Sequence, residues 1–210
     1  MKWIKFLTNN KIPYCIYKLK KEDFIILNNR NNKDGNILII LSGCIFVTKV
    51  FYNKELLPIV ILNKNNIFIK ENKELKIYYK LIALEKTYIL TLNLSKLNNN
   101  QISTLLRINI LHAYKKTIEK YESINKIMCQ KHIKSRIIQL ILTICLQFGK
   151  IKNQQIFIPF QLSNKNIAIL TGTSENTVSK IIKTIYSKHI IKDLSKKVII
   201  LDNILNLNLK

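Results

Sequence analysis

Residues 162–182, LSNKNIAILTGTSENTVSKII, have the small, apolar and glycine positions that two helices joined by a tight turn require. Ser163 can cap a first helix because its hydroxyl can accept a hydrogen bond from a free amide of the first turn. Gly172 falls where the chain must leave this helix with positive φ, and Ser174 can cap a second helix that begins at Glu175. The stretch therefore predicts a helix-turn-helix.

Three positions with fixed spacing predict how the two helices pack. Ala168 permits a close crossing, Gly172 makes the turn, and Val178 fills the gap between the helices. The polar positions left on the outer side can hydrogen-bond bases or phosphates. The candidate DNA contacts here are Ser163, Thr173, Ser174, Glu175, Asn176, Thr177, Ser179, Lys180 and Lys183. An ordinary helical hairpin is the structural alternative for this window.

The composition of the chain indicates the kind of partner it binds and the kind of genome that encodes it. The 210-residue chain is 48% hydrophobic, enough for a large core, and its formal net charge of +23 favours a polyanionic partner such as nucleic acid. Counted from the sequence, residues 1–131 carry +14 and residues 132–210 carry +9, so the charge is not concentrated at the motif. Lys, Asn and Ile abound, whereas Arg occurs only at Arg30, Arg107 and Arg136. Because the three abundant residues have A/T-rich codons, we attribute part of the basicity to genome composition of the kind seen in plastid, mitochondrial and parasite genomes.

Several classes of protein are disfavoured. The four cysteines form no C-x-x-C pair and have no histidine at zinc spacing, so we expect a reducing compartment and no metal site. The three histidines have no neighbouring nucleophile or carboxylate at a catalytic spacing, so we expect no catalytic site and no enzyme. No apolar stretch reaches about 18 residues, and the amino end lacks the pattern of a cleaved signal, so we expect a soluble protein without a membrane partner.

The first half of the chain predicts a β-rich domain. Short apolar runs are separated by polar or glycine-containing turns, and this regular spacing is typical of a compact roll or barrel. The predicted strands are 24–27, 37–41, 44–51, 56–62, 77–84 and 88–92.

From Ser95 the pattern changes to helical periodicity. Apolar residues recur in steps of mostly three and four at Ile102, Leu105, Leu106, Ile110, Tyr114, Ile118, Tyr121, Ile124 and Met128. A helix of this length is too long for a small roll to cover, so we expect a parallel homodimer through it. A single helix that lies on its own roll is the alternative.

The remaining elements complete a winged helix-turn-helix. A second helix is predicted from about 132 to 148, with Gly149 as its stop, followed by a strand at 155–160. Residues 190–200 predict two short strands around a basic turn, which would place Lys196 and Lys197 against the phosphate backbone. We therefore expect an α+β protein with a β-roll at 1–98, a long dimerisation helix at 99–131 and a winged helix-turn-helix at 132–210.

Several segments together resemble a known family. They are SRIIQLILTICLQFG at 135–149, Leu162-Ser163, Ile167-Ala168, Gly172-Thr173, TVSK at 177–180 and the turn Leu41-Ser42-Gly43. They are similar to the CRP/FNR family of bacterial transcription factors, and within it to the cyanobacterial global nitrogen regulators and their chloroplast-encoded homologues in red algae. The resemblance implies a cyclic-nucleotide-binding-like roll and a homodimer on a palindromic promoter site in double-stranded DNA. It also implies contact with RNA polymerase and activation of nitrogen-responsive genes in a plastid.

The recognition helix departs from the family at two positions. Members usually carry Arg where Glu175 and Lys180 stand, and those arginines read guanine edges. Glu175 would instead accept a hydrogen bond from cytosine N4, or it only favours the positive end of the helix. Lys180 can still contact guanine, though without the bidentate geometry of Arg, and Asn176 can pair with adenine.

The effector region also departs from the family. After Phe68 members have glycine and a short loop that holds an anionic effector, 2-oxoglutarate in the nitrogen regulators, whereas this chain has Ile69 and Lys70. With Lys76, and with His112 nearest in register to the family's effector-pairing arginine, these are the candidate effector residues. Three alternatives stay open: a constitutive DNA binder without effector, a haem sensor of the same fold, and an interaction module that has lost specific DNA binding.

Overall fold

The computed structural model describes residues 2–28, 36–70, 77–93, 104–152 and 155–187. The chain divides into two compact units, Met1–Glu122 and Ser123–Lys210, and the division falls inside one continuous helix. The domain limits expected from the sequence remain a prediction. Among the described residues, no helix is both long and apolar enough to span a membrane.

The described residues of the first unit form a short helix, eight strands and most of a long helix. In chain order these are α1 (Lys2–Asn9), β1 (Cys15–Leu19), β2 (Phe24–Leu27), β3 (Asn36–Ser42), β4 (Ile45–Val50), β5 (Leu56–Leu62), β6 (Ile67–Ile69), β7 (Tyr78–Ala83), β8 (Thr87–Asn93) and α2 (Thr104–Met128). All six predicted strands are present, while α1, β1 and β6 were not predicted.

The strands form two four-stranded antiparallel sheets. One has the order β1-β8-β3-β6 and the other the order β2-β7-β4-β5. The strand β3 is apolar at nearly every position because both of its faces are covered. Leu38 and Ile40 belong to the core of the roll, whereas Ile37, Ile39 and Leu41 belong to a second core with α1 and α2.

The long helix α2 presents one buried and one exposed apolar row. Leu106, Ala113 and Thr117 are buried, at a spacing that keeps them on one face. Leu105 and Ile118 of the predicted periodic set are exposed in the single chain, together with Ile108 and Leu111. Apolar residues therefore occupy both faces of this helix, and the dimer expected through it remains a prediction.

Within the described part of the second unit lie three further helices and a short hairpin. Its elements after α2 are α3 (Ile133–Phe148), β9 (Lys150–Lys152), β10 (Gln155–Phe157), α4 (Asn164–Thr171) and α5 (Glu175–Ser187). The predicted strand at 155–160 is shorter than expected, and its partner β9 was not predicted. Gly149 follows the last residue of α3 as expected, but with an extended backbone (φ −65°, ψ 143°) rather than a left-handed one. The observed architecture confirms the α+β class, while the predicted wing at 190–200 lies outside the described residues.

Candidate nucleic-acid interface

The helix α4 begins and ends with the caps that its sequence requires. The Ser163 hydroxyl accepts a hydrogen bond from the Asn166 amide at 3.1 Å. At the other end, Gly172 has the left-handed backbone (φ 60°, ψ 46°), which lets its own N–H bond to Ile169 and the Thr173 N–H bond to Ala168. These paired bonds satisfy the last carbonyls of α4 and redirect the chain into α5.

A second cap starts α5 immediately after this turn. The Ser174 hydroxyl accepts a hydrogen bond from the Thr177 amide at 3.2 Å, and the two side-chain hydroxyls are 2.8 Å apart. Behind them, Val178 and Ile182 are buried with Ala168, as the spacing predicted. The helix-turn-helix predicted from the sequence is therefore present, with its turn and both caps formed.

The outer side of α5 carries polar groups that reach solvent. The exposed residues are Ser174, Glu175, Asn176, Lys180 and Lys183, while Thr173, Thr177 and Ser179 are partly exposed. Because Asn176 and Lys180 are four residues apart, as are Ser179 and Lys183, they share one helix face. This face contains hydrogen-bond donors and acceptors together with two lysine charges. A surface of this kind can pair with base edges and with phosphates.

Glu175 is the only acidic residue in the first turn of α5. A carboxylate at this position is stabilised by the partial positive charge of the helix N-terminus. The same side chain is exposed on the outer side, so the geometry is compatible with both of the roles weighed for it.

Arg136 positions the end of α4, a role that the sequence pattern did not reveal. From α3 its Nε donates to the Gln130 carbonyl and its Nη1 donates to the Thr171 carbonyl, both at 2.9 Å. It thereby joins the segment between α2 and α3 to the last residue of α4, next to the turn. Lysine could not reproduce this forked pair of bonds. The available signal was an arginine retained among mostly lysine cations.

A comparison with known protein families finds the same helix-turn-helix in the amino-acid sequence. Residues 135–204 match the family described as the Crp-like helix-turn-helix domain, and they include all but the first two residues of α3 and the whole of α4 and α5. The comparisons support a CRP/FNR-family regulator, and the family match itself covers residues 135–204, a third of the chain. They support a DNA-binding transcription regulator, and the outer side of α5 is its candidate reading surface.

Similar proteins match nearly the whole length of this chain. A curated protein of Porphyra purpurea, named as an HTH-type transcriptional regulator (ycf28), is 27% identical over 209 residues, which is 97% of this chain and 85% of the relative. A CRP-family transcriptional regulator from Thermus thermophilus has a TM-score of 0.70 at 15% identity, covering 89% of this chain and 92% of that one. A cyclic nucleotide-binding domain containing protein from Listeria monocytogenes has a TM-score of 0.74 at 14% identity, covering 96% and 100%. At such identities the two structures show the shared fold.

The candidate effector residues that the structure describes do not line one pocket. Phe68 packs inside the roll, with its ring 5.2 Å from that of Tyr79 in an edge-on contact. His112 lines a different pocket, and neither Phe68, Ile69 nor Lys70 contributes to it. Lys76 lies outside the described residues, as do Lys196 and Lys197 of the DNA set. The resemblance could not reveal this separation because it aligns positions without placing them in space.

Proposed function

We propose that this protein is a homodimeric, sequence-specific transcription activator that binds a palindromic DNA site and serves nitrogen-responsive genes in a plastid. The observation that carries the proposal is the exposed polar side of α5, held by a capped turn on buried Ala168 and Val178. A recognition helix of this kind places its amino-terminal residues in the major groove.

The exposed row on α2 supports the dimer. Ile108, Leu111 and Ile118 recur at the spacing of a helical seam, and Leu111 is 68% exposed. Pairing two such rows would remove these side chains from water. A parallel pair of α2 helices would present two recognition helices, which suits half-sites about one helical turn, roughly 34 Å, apart.

Composition and the resemblance support the plastid and nitrogen context. The sequence is rich in residues with A/T-rich codons, and a similar protein of Porphyra purpurea is named as a transcriptional regulator. Immunogold labelling of cells would test the compartment. Transcription in vitro with the cognate RNA polymerase, on promoters whose transcripts change with nitrogen supply, would test activation. Label outside plastids, or unchanged transcript yield, would refute the corresponding part.

DNA binding itself is tested by a band shift on a palindromic site at increasing salt. Because each phosphate contact releases counterions, we expect a complex whose affinity falls steeply between about 50 and 200 mM salt. Absent or salt-insensitive binding would refute the proposal.

Variants separate the reading roles. We expect Lys180→Ala to relax base preference and Lys196→Ala to weaken all sequences alike, with Lys64→Ala in the β5–β6 turn as a control of equal charge change. If Glu175 reads cytosine, Glu175→Gln changes the preferred base at one position. If it only favours the helix N-terminus, the variant loses stability and keeps the preference.

The packing of the roll favours a second candidate, a regulator that binds DNA constitutively. The core between the sheets is filled by aliphatic side chains and Phe68, where relatives are expected to hold an anion. Calorimetric titration with 2-oxoglutarate and with cyclic AMP separates the candidates. Saturable heat from either ligand, with a change in DNA affinity, supports the sensor; no heat from either supports constitutive binding.

A further inference from the structure

The first unit contains a pocket outside the core of the roll. It has a volume of about 340 Å³ and lies among α1, the turn between β5 and β6, and the first half of α2. Trp3 and Phe6 of α1 supply aromatic walls, and Ala113 of α2 is the smallest lining side chain. This volume is at the lower end of the range of small-molecule sites.

The polar lining groups carry positive charge and amide hydrogen-bonding groups. Lys116 and His112 are four residues apart and therefore lie on one side of α2. Asn109 and Asn65 add side-chain amides. Neither α1 nor residues 104–118 of α2 contain an acidic residue. The lining therefore combines flat apolar surfaces with a cation and neutral donors.

Hydrogen bonds to buried backbone hold the walls in place. The Thr117 hydroxyl accepts from the Ile67 amide at 3.1 Å and donates to the Ile67 carbonyl at 2.9 Å, which fixes α2 against β6 next to Lys116. The turn that bears Asn65 is fixed to β3, since the Asn65 N–H bonds to the Ile40 carbonyl at 2.8 Å. Leu7 anchors α1 with no exposed surface. A preformed pocket spends little binding free energy on ordering its walls.

We propose that this pocket binds a small aromatic carboxylate. The ring lies between Trp3 and Phe6, where offset or edge-on contacts with aromatic side chains are favourable. The carboxylate accepts hydrogen bonds from the Lys116 ammonium and from the Asn109 or Asn65 amide, with His112 beside them. The site is separate from the DNA-reading surface, so its occupancy does not depend on the proposed function.

The sequence offers a direct reporter for this binding. Trp3 is the single tryptophan of the chain and lines the pocket, so its fluorescence reports occupancy without a label. The full-length protein would be titrated with sodium benzoate, with benzamide as a neutral analogue of similar shape, and with sodium acetate as an anion without the ring. Calorimetry on the same samples gives an independent binding constant.

We expect a saturable change with benzoate, and affinities at least tenfold weaker for benzamide and acetate because each lacks one half of the recognised chemistry. Lys116→Gln should weaken benzoate about tenfold or more, whereas Lys115→Gln, the same charge change outside the pocket, should leave it within about twofold. Circular dichroism confirms that both variants fold.

Other outcomes overturn the proposal. No saturable change up to about 10 mM benzoate would exclude a site of useful affinity. Equal binding of benzamide would exclude recognition of the carboxylate, and equal binding of acetate would exclude recognition of the ring. Equal losses in Lys116→Gln and Lys115→Gln would show that overall charge, and not this pocket, holds the ligand. A band shift on the same preparations reports DNA binding separately.

Discussion

Gly172 fixes the turn between α4 and α5 through its backbone conformation. At φ 60° a residue with a Cβ is strained, and an added Cβ would also lie 3.1 Å from the Met128 terminal methyl. We expect Gly172→Ala to lower the free energy of unfolding by about 1–2 kcal/mol in urea denaturation. Gly172→Asn should lose less, because Asn tolerates this region better. Equal stability of Gly172→Ala and the parent would contradict the assigned strain.

Thr117 is a buried hydroxyl whose bonds join α2 to β6. Replacing it by the similarly shaped Val leaves the Ile67 amide without its partner at 3.1 Å. We expect Thr117→Val to destabilise the protein by about 1–3 kcal/mol, the cost of an unsatisfied buried group. Thr117→Ser keeps the hydroxyl and serves as the control. The role of the bond would be refuted if Ser lost as much stability as Val.

At the scale of the element, α2 carries the exposed apolar row proposed as the dimer seam. Leu111→Lys places a charge in that row, where two copies would face each other. We expect the variant to shift from dimer to monomer in sedimentation equilibrium. Leu146→Lys makes the same change at an 84% exposed position of α3 and should leave the dimer intact. A dimer that survives Leu111→Lys would place the interface elsewhere.

Periodicity predicted the elements whose environment is simple. The six predicted strands and the three longer helices have long apolar patterns, and each is present. The strands β6 and β9 were missed because three residues carry too little pattern, whereas the four residues of β2 are all apolar. The two faces of α2 could not be separated from sequence, since which apolar row is buried depends on what the fold places against it.

The candidate site divides in the same way. Ser163, Gly172 and Ser174 were predictable because caps and turns are local and depend on residue type. The bonds of Arg136 to the Gln130 and Thr171 carbonyls were not, because they join positions up to 35 residues apart. The pocket beside Trp3 was equally hidden, since its walls come from three separate elements. The sequence therefore predicted the recognition helix α5 and its caps, but not the long-range hydrogen bonds that hold α4 and its turn in place.

At the scale of the whole molecule, Lys120 couples stability to pH. Burial lowers its pKa from 10.5 to about 8. Between these values the unfolded chain binds more protons than the folded one, so this lysine makes stability rise with pH from about 8 to 10.5. Below pH 8 the folded protein keeps this lysine charged although it is largely buried, and this lowers the free energy of unfolding.

We expect Lys120→Met to raise the free energy of unfolding at pH 7 by up to about 3 kcal/mol, with the gain shrinking between pH 8 and 10.5. Urea denaturation of parent and variant at pH 7, 8, 9 and 10 measures this difference. Burial also raises the pKa of the Cys145 thiol to about 11, but that group is common to both proteins. Lys115→Met changes an exposed lysine of the same helix and is the control. A gain that does not vary with pH would refute the coupling.

The strand β3 lies between β8 and β6 and is covered on both faces. Its central amides bond to neighbouring strands within the sheet and are covered on both faces, so we expect them to exchange for deuterium at the rate set by global opening of the first unit. Edge strands such as β2 should exchange earlier, through local fraying. A single labelling time course on β3 would therefore report the stability of this unit without denaturant, in the presence or absence of any ligand.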